Sequence, residues 1–271
     1  MNLKTICGLM VAFFAFAVPL TDASAETMQR IFERGKIAIG VKADYRPWGY
    51  RNTNGDVVGL EIDLAEDTAK RLGVKLETIV VVGSNRMEFL KQGKIDLIIA
   101  TMGDTVSRRK VVGMIEPDYY AGGANIIASK SMGFKQWSEI KGKKICTIQG
   151  AYYNARVTKL YAPKFMAFKG VPEIERVLRN GDCAAFLYDS TWIESNLASG
   201  DWNGYEMPLA TEDPSLWALG VRLDDLSAPF GLFVSGLVYE WHKTGKLLEL
   251  EKKWGIKNSP YLIEMNKQLN K

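Results

Sequence analysis

Histidine is almost missing from this chain of 271 residues, which holds a single one, His242. A metal centre made of several histidines, or a nucleophile activated by histidine, is therefore hard to assemble. His242 lies in a stretch with helical spacing, where a lone histidine is usually a packed or surface residue, so we assign it no catalytic role. The sequence predicts neither a metal site nor a cofactor, and it says more about binding than about catalysis.

A strong excess of charge is missing as well. Lys and Arg number 35 against 31 Asp and Glu, and no basic run concentrates the formal net charge of +4. Nucleic-acid binding usually requires a basic stripe, so nucleic acid is not an expected partner. The composition, 47% hydrophobic and 24% charged, is that of a globular protein with a sizeable core, and it excludes a disordered or low-complexity chain.

Long apolar runs are absent after the first 25 residues. Those residues combine Lys4, an apolar stretch at 6–20 and the small-residue sequence Ala-Ser-Ala at 23–25, which is the pattern of a secretory signal peptide. The alternative is a membrane anchor, but the apolar stretch is short and a polar one follows it at once. We predict a signal peptide at residues 1–25, cleaved after Ala25, and an exported mature protein.

Cysteine is scarce, and only Cys146 and Cys183 follow the predicted cleavage site. Two cysteines in an exported protein most simply form a disulfide, and two buried free thiols are the alternative. A bridge would close a loop of about 38 residues and contribute about 4 kcal/mol on the chain-entropy model.

What is present is an alternation of strand-like and helix-like segments. Apolar residues at helical spacing precede Gly73, Gly93 and Gly181, each of which is placed to end a helix. Such alternation predicts parallel sheets covered by helices. The predicted strands are Ile37–Val41, Leu76–Val82, Ile95–Met102, Ala124–Ser129, Lys144–Gln149, Cys183–Asp189 and Ala218–Leu223, and residues 227–254 are predicted to be mostly helical.

Three clusters of polar or aromatic residues follow predicted strands, where ligands of open α/β sheets bind. The hydroxyl of Thr101, the backbone of Gly103 and the guanidinium of Arg108 would suit a carboxylate, although a surface arginine beside a tight turn is the simpler reading of this segment alone. Asp189 could cap a helix or face an ammonium group. The loop Asp44–Trp48 offers aromatic walls for a small ligand.

Taken together, these segments resemble the periplasmic solute-binding proteins of polar amino-acid ABC transporters, the family 3 extracellular solute-binding proteins. No single motif carries the resemblance, which lies in the order and spacing of many pieces over the whole mature chain. The pieces are GDVVGLEIDLA at 55–65, NRMEFL at 85–90, GKIDLIIATM at 93–102, TVSR at 105–108, PDYY at 117–120, Gln149–Gly150, GDCAAFLYD at 181–189 and KTGKLLELEKKWG at 243–255.

The resemblance implies an α/β fold, the two-lobed type II clamp, in which each lobe is a mainly parallel sheet flanked by helices and two crossing strands join the lobes. Lobe 1 would comprise residues 26–119 and 218–271, and lobe 2 residues 120–217, with hinges near Tyr119 and Ala218. The implied function is that of a monomeric periplasmic protein, not an enzyme, which captures an amino acid and delivers it to an ABC permease in the inner membrane.

The resemblance also implies roles for the three clusters. Arg108 would bind the α-carboxylate of the ligand with help from Thr101 and Gly103, and Asp189 would bind the α-ammonium group. The aromatic residues that would cover the ligand are Tyr45 and Trp48.

Three positions depart from the family pattern. Ala151 and Tyr152 stand where a hydroxyl residue is common, and Leu60 replaces a common aromatic. Tyr152 is therefore expected to reshape the second-lobe side of the pocket. The Cys146/Cys183 pair recurs in one branch of the family and is consistent with a disulfide in lobe 2.

Lys42 bears on side-chain selectivity. In binders of basic amino acids an acidic residue occupies this position, three residues before the loop aromatic Tyr45. A basic ligand would meet like charge, so the sequence favours an acidic, amide or cystine-like ligand, provided that Lys42 points into the cleft. Strand alternation alone leaves the direction of Lys42 open.

One enzymatic alternative shares this fold, namely an exported cyclohexadienyl or arogenate dehydratase. Such an enzyme needs a carboxyl group with a raised pKa beside the leaving hydroxyl. Glu61 and Asp104 are the acids that the sequence offers on the cleft side.

Overall fold

The computed structural model describes residues 26–271, and the predicted signal peptide at residues 1–25 lies outside the described residues. Helices and strands alternate along the described chain. The strands are β1 (Lys36–Val41), β2 (Asp44–Tyr45), β3 (Gly49–Arg51), β4 (Val57–Val58), β5 (Lys75–Val80), β6 (Leu97–Ile99), β7 (Gly113–Met114), β8 (Tyr120–Ser129), β9 (Lys144–Ile148), β10 (Lys164–Phe168), β11 (Ala185–Asp189), β12 (Tyr205–Glu206), β13 (Glu212–Trp217) and β14 (Gly220–Val221). The helices are α1 (Glu26–Arg34), α2 (Leu60–Leu72), α3 (Arg86–Lys91), α4 (Val106–Arg109), α5 (Asn154–Tyr161), α6 (Val171–Arg179), α7 (Ser190–Ala198), α8 (Pro229–Thr244), α9 (Lys246–Lys253) and α10 (Pro260–Leu269).

Lobe 1 is built on a five-stranded sheet with the strand order β5-β1-β6-β14-β7. β1 is parallel to both β5 and β6, whereas β14 is antiparallel to β6 and β7. α2 contacts β1 and β5, and the apolar stripe predicted for it, Ile62, Ala65, Ala69 and Leu72, is buried. Gly73 ends the helix in the left-handed region, at a φ of 69°. The carboxyl ends of β1 and β6 therefore lie side by side.

Lobe 2 is built on a second sheet, with the order β10-β9-β11-β8-β12 and with β13 also paired to β8. β9, β10 and β11 are parallel, and β8 runs antiparallel to β11. A disulfide joins Cys146 in β9 to Cys183 just before β11, with the two Cα atoms 5.7 Å apart. The predicted pairing is confirmed, and the alternative of two free thiols is wrong.

Two antiparallel strands, β8 and β13, carry the chain between the sheets. β8 begins at Tyr120 and β13 ends at Trp217, and these two residues pair at the crossing. The rings of Tyr120 and Trp217 stack with their centroids 5.2 Å apart. The predicted two-lobed α/β architecture with two crossing strands is confirmed.

The strand predicted at residues 95–102 is much shorter in the structure. Residues 95–102 were expected to be extended, but β6 covers only Leu97–Ile99. Thr101 has a φ of 46°, in the left-handed region, so the extended chain breaks there. This break turns the backbone of Thr101 towards the space between the lobes, where its amide and carbonyl groups find partners other than a neighbouring strand.

His242 is buried, and its Nε2 atom lies 2.7 Å from the backbone oxygen of Asp118, an arrangement that matches the packing role expected for it. Within residues 26–271, no helix has the combination of length and apolar content that crossing a bilayer requires. The same residues contain no group of three or more His, Cys, Asp or Glu side chains arranged to hold a metal ion.

Candidate functional site

The two lobes contact each other across the cleft between the sheets. The hydroxyl of Tyr45 in lobe 1 donates a hydrogen bond of 3.0 Å to Oδ2 of Asp189 in lobe 2. Nη2 of Arg108 donates to the backbone oxygen of Gly150 at 2.9 Å. Farther out, Nδ2 of Asn196 lies 3.3 Å from the backbone oxygen of Arg46. The lobes are therefore closed on each other.

A small cavity of about 30 Å³ remains inside this closed interface. A space of this size holds about two water molecules, so a ligand as large as an amino acid needs a wider cleft to enter. Lobe 1 contributes Lys42, Gly83, Arg86 and Thr101 to its wall, and lobe 2 contributes Ile148, Gly150, Ala151, Tyr153, Tyr188 and Asp189. The cavity thus brings buried charges of both signs together from the two lobes.

A larger groove of about 710 Å³ lies behind the crossing strands. Its charged wall residues, Glu194 and Lys257, are both exposed to solvent. Because an exposed charge is hydrated and screened, it binds a ligand less strongly than a buried one. The cleft cavity is therefore the better candidate site, although it is much the smaller of the two.

Asp189 stands at the end of β11, as the sequence predicts, and only 7% of it is exposed. It occupies the position before α7, but its side chain makes no capping hydrogen bond to that helix. Burial raises the pKa of Asp189 to about 6, and the hydrogen bond from Tyr45 opposes that rise. The carboxylate is directed to the cavity instead of serving as a helix cap.

Arg108 lies in α4, where Thr105 caps the helix by accepting a hydrogen bond from the amide of Arg108. The guanidinium is buried, and Nη1 donates to the backbone oxygen of Gly103 at 2.6 Å while Nη2 reaches Gly150. Burial, and then the nearby charge of Arg86, lowers the pKa of Arg108 to about 9, which leaves it protonated at neutral pH. Arg108 does not belong to the cavity wall, but its guanidinium ties both lobes together beside it.

Lys42 points inward. It is 2% exposed, it lines the cavity, and its Nζ atom lies 2.7 Å from Oδ1 of Asp44. The direction that the sequence leaves open is therefore settled, and the lysine enters the cleft together with a carboxylate partner.

Arg86 is a cavity residue that the sequence analysis missed. It begins α3, is 5% exposed, and donates through Nη1 to the backbone oxygens of Ala100 and Thr101. No carboxylate of the described residues lies within ion-pair distance of Arg86, and burial lowers its pKa. A usable signal was present, because Arg86 precedes Leu90 by four residues and so shares the buried face of a helix.

Thr101 is held in its left-handed conformation by Glu61. The amide of Thr101 donates to Oε1 of Glu61 at 2.6 Å, and the same oxygen accepts the hydroxyl of Tyr119. Glu61 is fully buried, and burial raises its pKa to about 7. It supports the cavity wall from behind and is not part of that wall.

Asp104, the second acid considered for a dehydratase, forms an ion pair with Arg109, whose Nε atom lies 2.8 Å and 3.0 Å from its two carboxylate oxygens. It lies outside the cavity wall. Neither acid proposed for general-acid catalysis therefore reaches the cavity of the closed protein.

Gly103 of lobe 1 and Tyr152 of lobe 2 meet where the cleft closes. A Cβ atom at Gly103 would lie 2.9 Å from the Tyr152 ring and 3.0 Å from the hydroxyl of Ser215, so a glycine is needed for this close approach. Tyr152 packs against Tyr153 with ring centroids 4.8 Å apart. Ala151 and Tyr153 line the cavity, whereas Gly103 and Tyr152 are not part of its wall.

Trp48 and Leu60 are fully buried in the core and do not line the cavity. Trp48 instead supports Tyr45 edge-on, with ring centroids 5.4 Å apart. Tyr153 and Tyr188 line the cavity, and the hydroxyl of Tyr45 contacts Asp189. In the closed protein Trp48 thus contacts Tyr45 from the core side, and its expected role in covering a ligand stays a prediction.

Comparison with known proteins agrees with this architecture. An arginine-binding extracellular protein of Bacillus subtilis is 25% identical over 93% of this chain and 97% of its own length. A glutamine-binding protein of Geobacillus stearothermophilus is 30% identical over 64% of this chain and 68% of its own length. The crystal structure of a solute receptor for L-cysteine of Neisseria gonorrhoeae superposes with a TM-score of 0.79 at 25% identity, covering 87% of this chain and 98% of that one. Residues 37–257 match the bacterial extracellular solute-binding proteins, family 3, and the chain belongs to that family.

Proposed function

We propose that this protein binds a polar, non-basic L-amino acid in the periplasm and delivers it, as a monomer, to an ABC permease of the inner membrane. The observation that carries the choice of ligand is that Lys42 and Arg86, two buried cations, line the same cavity as Asp189.

The main-chain groups of an amino acid fit the charges at the two sides of the cleft. Asp189 supplies a buried carboxylate from lobe 2 for the α-ammonium group. Arg108 supplies a planar guanidinium from lobe 1, which suits an α-carboxylate when its bonds to Gly103 and Gly150 are exchanged for the ligand. Because the two groups belong to different lobes, a zwitterion between them favours the closed form.

The remaining charges favour a particular kind of side chain. The charge of Lys42 is offset by Asp44, and Arg108 and Asp189 match the main-chain groups of the ligand. Arg86 is then left with only backbone oxygens as partners. A carboxylate, amide or other electron-rich side chain would complement this guanidinium, whereas a lysine or arginine side chain would bring like charges together in a closed cavity.

The relatives support an amino acid as the ligand but do not select one. Their names include arginine-, glutamine- and L-cysteine-binding proteins, so the non-basic assignment rests on the charges of this cavity. Binding is proposed in preference to dehydratase catalysis because Glu61 and Asp104 both lie outside the cavity.

A thermal-shift screen against the twenty amino acids and cystine tests the proposal, because a ligand that binds only the folded state raises the melting temperature. We expect L-glutamate, L-glutamine or cystine to give the largest shift and L-arginine and L-lysine to give none. The Arg108→Ala variant serves as the control and should lose the shift. A largest shift with L-arginine would contradict the non-basic assignment, and turnover of prephenate by the wild-type protein would favour the dehydratase.

A further inference from the structure

Asp44 connects two charged features that belong to different lobes. Its Oδ1 atom lies 2.7 Å from Nζ of Lys42 in lobe 1. Its Oδ2 atom accepts a hydrogen bond of 3.1 Å from the backbone amide of Val171 in lobe 2. Only 15% of the Asp44 side chain is exposed, so this double contact is largely shielded from water.

Val171 is the first residue of α6, a helix of nine residues. The amides in the first turn of a helix have no partners within the helix, and they carry the positive end of its dipole. Pro172 follows immediately and has no N–H to offer, so the amide of Val171 is the first available donor. Gly170 occupies the N-cap position, and it has no side chain that could accept this hydrogen bond.

The carboxylate of Asp44 therefore supplies from lobe 1 the cap that α6 lacks in its own sequence. This cap exists only while the lobes are closed, because Asp44 and α6 belong to different lobes. The contact fits closely: a Cβ atom at Gly170 would lie 3.2 Å from Oδ2 of Asp44. Opening the cleft leaves both the α6 terminus and one oxygen of Asp44 to water.

We propose that Asp44 is a positioning residue that stabilises the closed form by capping α6 from the opposite lobe while it holds the ammonium group of Lys42. The proposal rests on the proposed function in one respect, namely that closure is the step that retains the amino acid. It adds a residue that controls closure without binding the ligand.

The expected effect is a loss of closed population. Removing a negative charge from the N-terminus of a helix weakens the state that holds the charge there by about 2- to 5-fold. Asp44→Asn keeps the shape of the side chain but removes its charge, so we expect a fall of the closed-to-open ratio within this range. The dissociation rate of the ligand should rise by a similar factor, because dissociation requires opening.

Single-molecule energy transfer measures this ratio directly. Dyes are attached at two exposed positions changed to cysteine, Lys70 in α2 of lobe 1 and Lys159 in α5 of lobe 2, and the ratio is read with and without 10 mM L-glutamate. The matched control is Glu77→Gln, which removes a lobe 1 carboxylate whose ion pair with Lys36 is exposed. We expect the control to behave as the wild type does.

Repeating the measurement in a Lys42→Gln variant separates the two contacts of Asp44, one with Lys42 and one with α6. In Lys42→Gln the ammonium group is gone, so Asp44→Asn in that background can act only through α6. We expect the fall in the closed-to-open ratio to persist there. A fall that disappears in the Lys42→Gln background, or a ratio that Asp44→Asn leaves unchanged, would overturn the proposal.

The ligand-free measurement keeps this test apart from the proposed function. If L-glutamate changes nothing in the wild type, the acidic-ligand assignment fails, whereas the effect of Asp44→Asn on the ligand-free ratio still decides the role of Asp44.

Discussion

Tyr45 and Asp189 face each other across the cleft, and the tyrosine hydroxyl donates a hydrogen bond of 3.0 Å to the buried carboxylate. The same hydroxyl lies 3.1 Å from the hydroxyl of Thr191. Asp189 thus keeps one neutral partner from lobe 1 but no cationic group within ion-pair distance among the described residues. Under the proposed function, we expect this carboxylate to pair with the positively charged α-ammonium group of the ligand.

The first prediction concerns Asp189. Replacing it with asparagine should weaken amino-acid binding by about 2–5 kcal/mol, the usual cost of removing one partner of a buried charge pair. The loss should be smaller for a ligand analogue that lacks the α-amino group. Isothermal titration calorimetry with both ligands measures the difference, and equal losses would mean that Asp189 has only a structural role.

Two comparisons isolate the charge of Asp189. Tyr45→Phe removes the hydrogen bond but not the charge, so it should weaken binding less than Asp189→Asn. Because the pKa of Asp189 is raised to about 6, lowering the pH from 7.5 to 5 should weaken the binding of L-glutamine by about tenfold in the wild type. The Asp189→Asn variant should lack this pH dependence.

The second prediction concerns Glu61 and stability. Its pKa is about 7 in the folded protein and near 4.5 when exposed, so the folded state binds more protons between these values. Stability therefore rises as the pH falls through this window, by about 2 kcal/mol between pH 7.5 and 5.5. Glu61→Gln should remove this part of the pH dependence in denaturant unfolding, because glutamine can still accept from Thr101 and Tyr119.

Other titrating residues also contribute to the pH dependence of the free energy of unfolding. Asp118 and Asp189 also have raised pKa values, each about 6, and act in the same direction. Burial lowers the pKa of His242, which acts in the opposite direction below pH 6.5. The wild type and Glu61→Gln share all three groups, so the difference between their profiles reports on Glu61. Parallel profiles would contradict its raised pKa.

The third prediction concerns the disulfide. Changing both Cys146 and Cys183 to serine should lower the free energy of unfolding by about 2–5 kcal/mol, because the bridge closes a long loop within lobe 2. At temperatures where the variant stays folded, its affinity for the amino acid should change little, since neither cysteine lines the cavity. Free-thiol titration of the exported protein under denaturing conditions should find none before reduction. One thiol or more per chain would contradict the bridge.

Much of the fold follows from local pattern. The apolar stripe of α2 and the glycine that ends it predict the helix correctly, and residues 227–254 form the predicted helical region as α8 and α9. β13 was missed because it contains Pro214, and proline inside a short run argues against a strand. The crossing strand tolerates it because it pairs only with β8 and carries an irregular register.

Less of the candidate site than of the fold could be predicted from the sequence. The direction of Lys42 could not be read because residues 37–41 of β1 are buried on both faces, which removes the alternation that marks an inward position. Arg86 was not predicted because its buried guanidinium donates to the backbone oxygens of Ala100 and Thr101. These oxygens lie at the left-handed turn at Thr101, which the sequence does not show. Both residues depend on contacts between segments far apart in the chain.

The smallness of the cleft cavity has a kinetic consequence. A space of about 30 Å³ between closed lobes has no room for one amino acid to enter while another leaves. Exchange must then pass through the open form, and the release rate cannot exceed the rate at which the lobes separate. An excess of a competing amino acid should therefore leave the dissociation rate of the first unchanged, because the competitor meets only a cleft that is already empty.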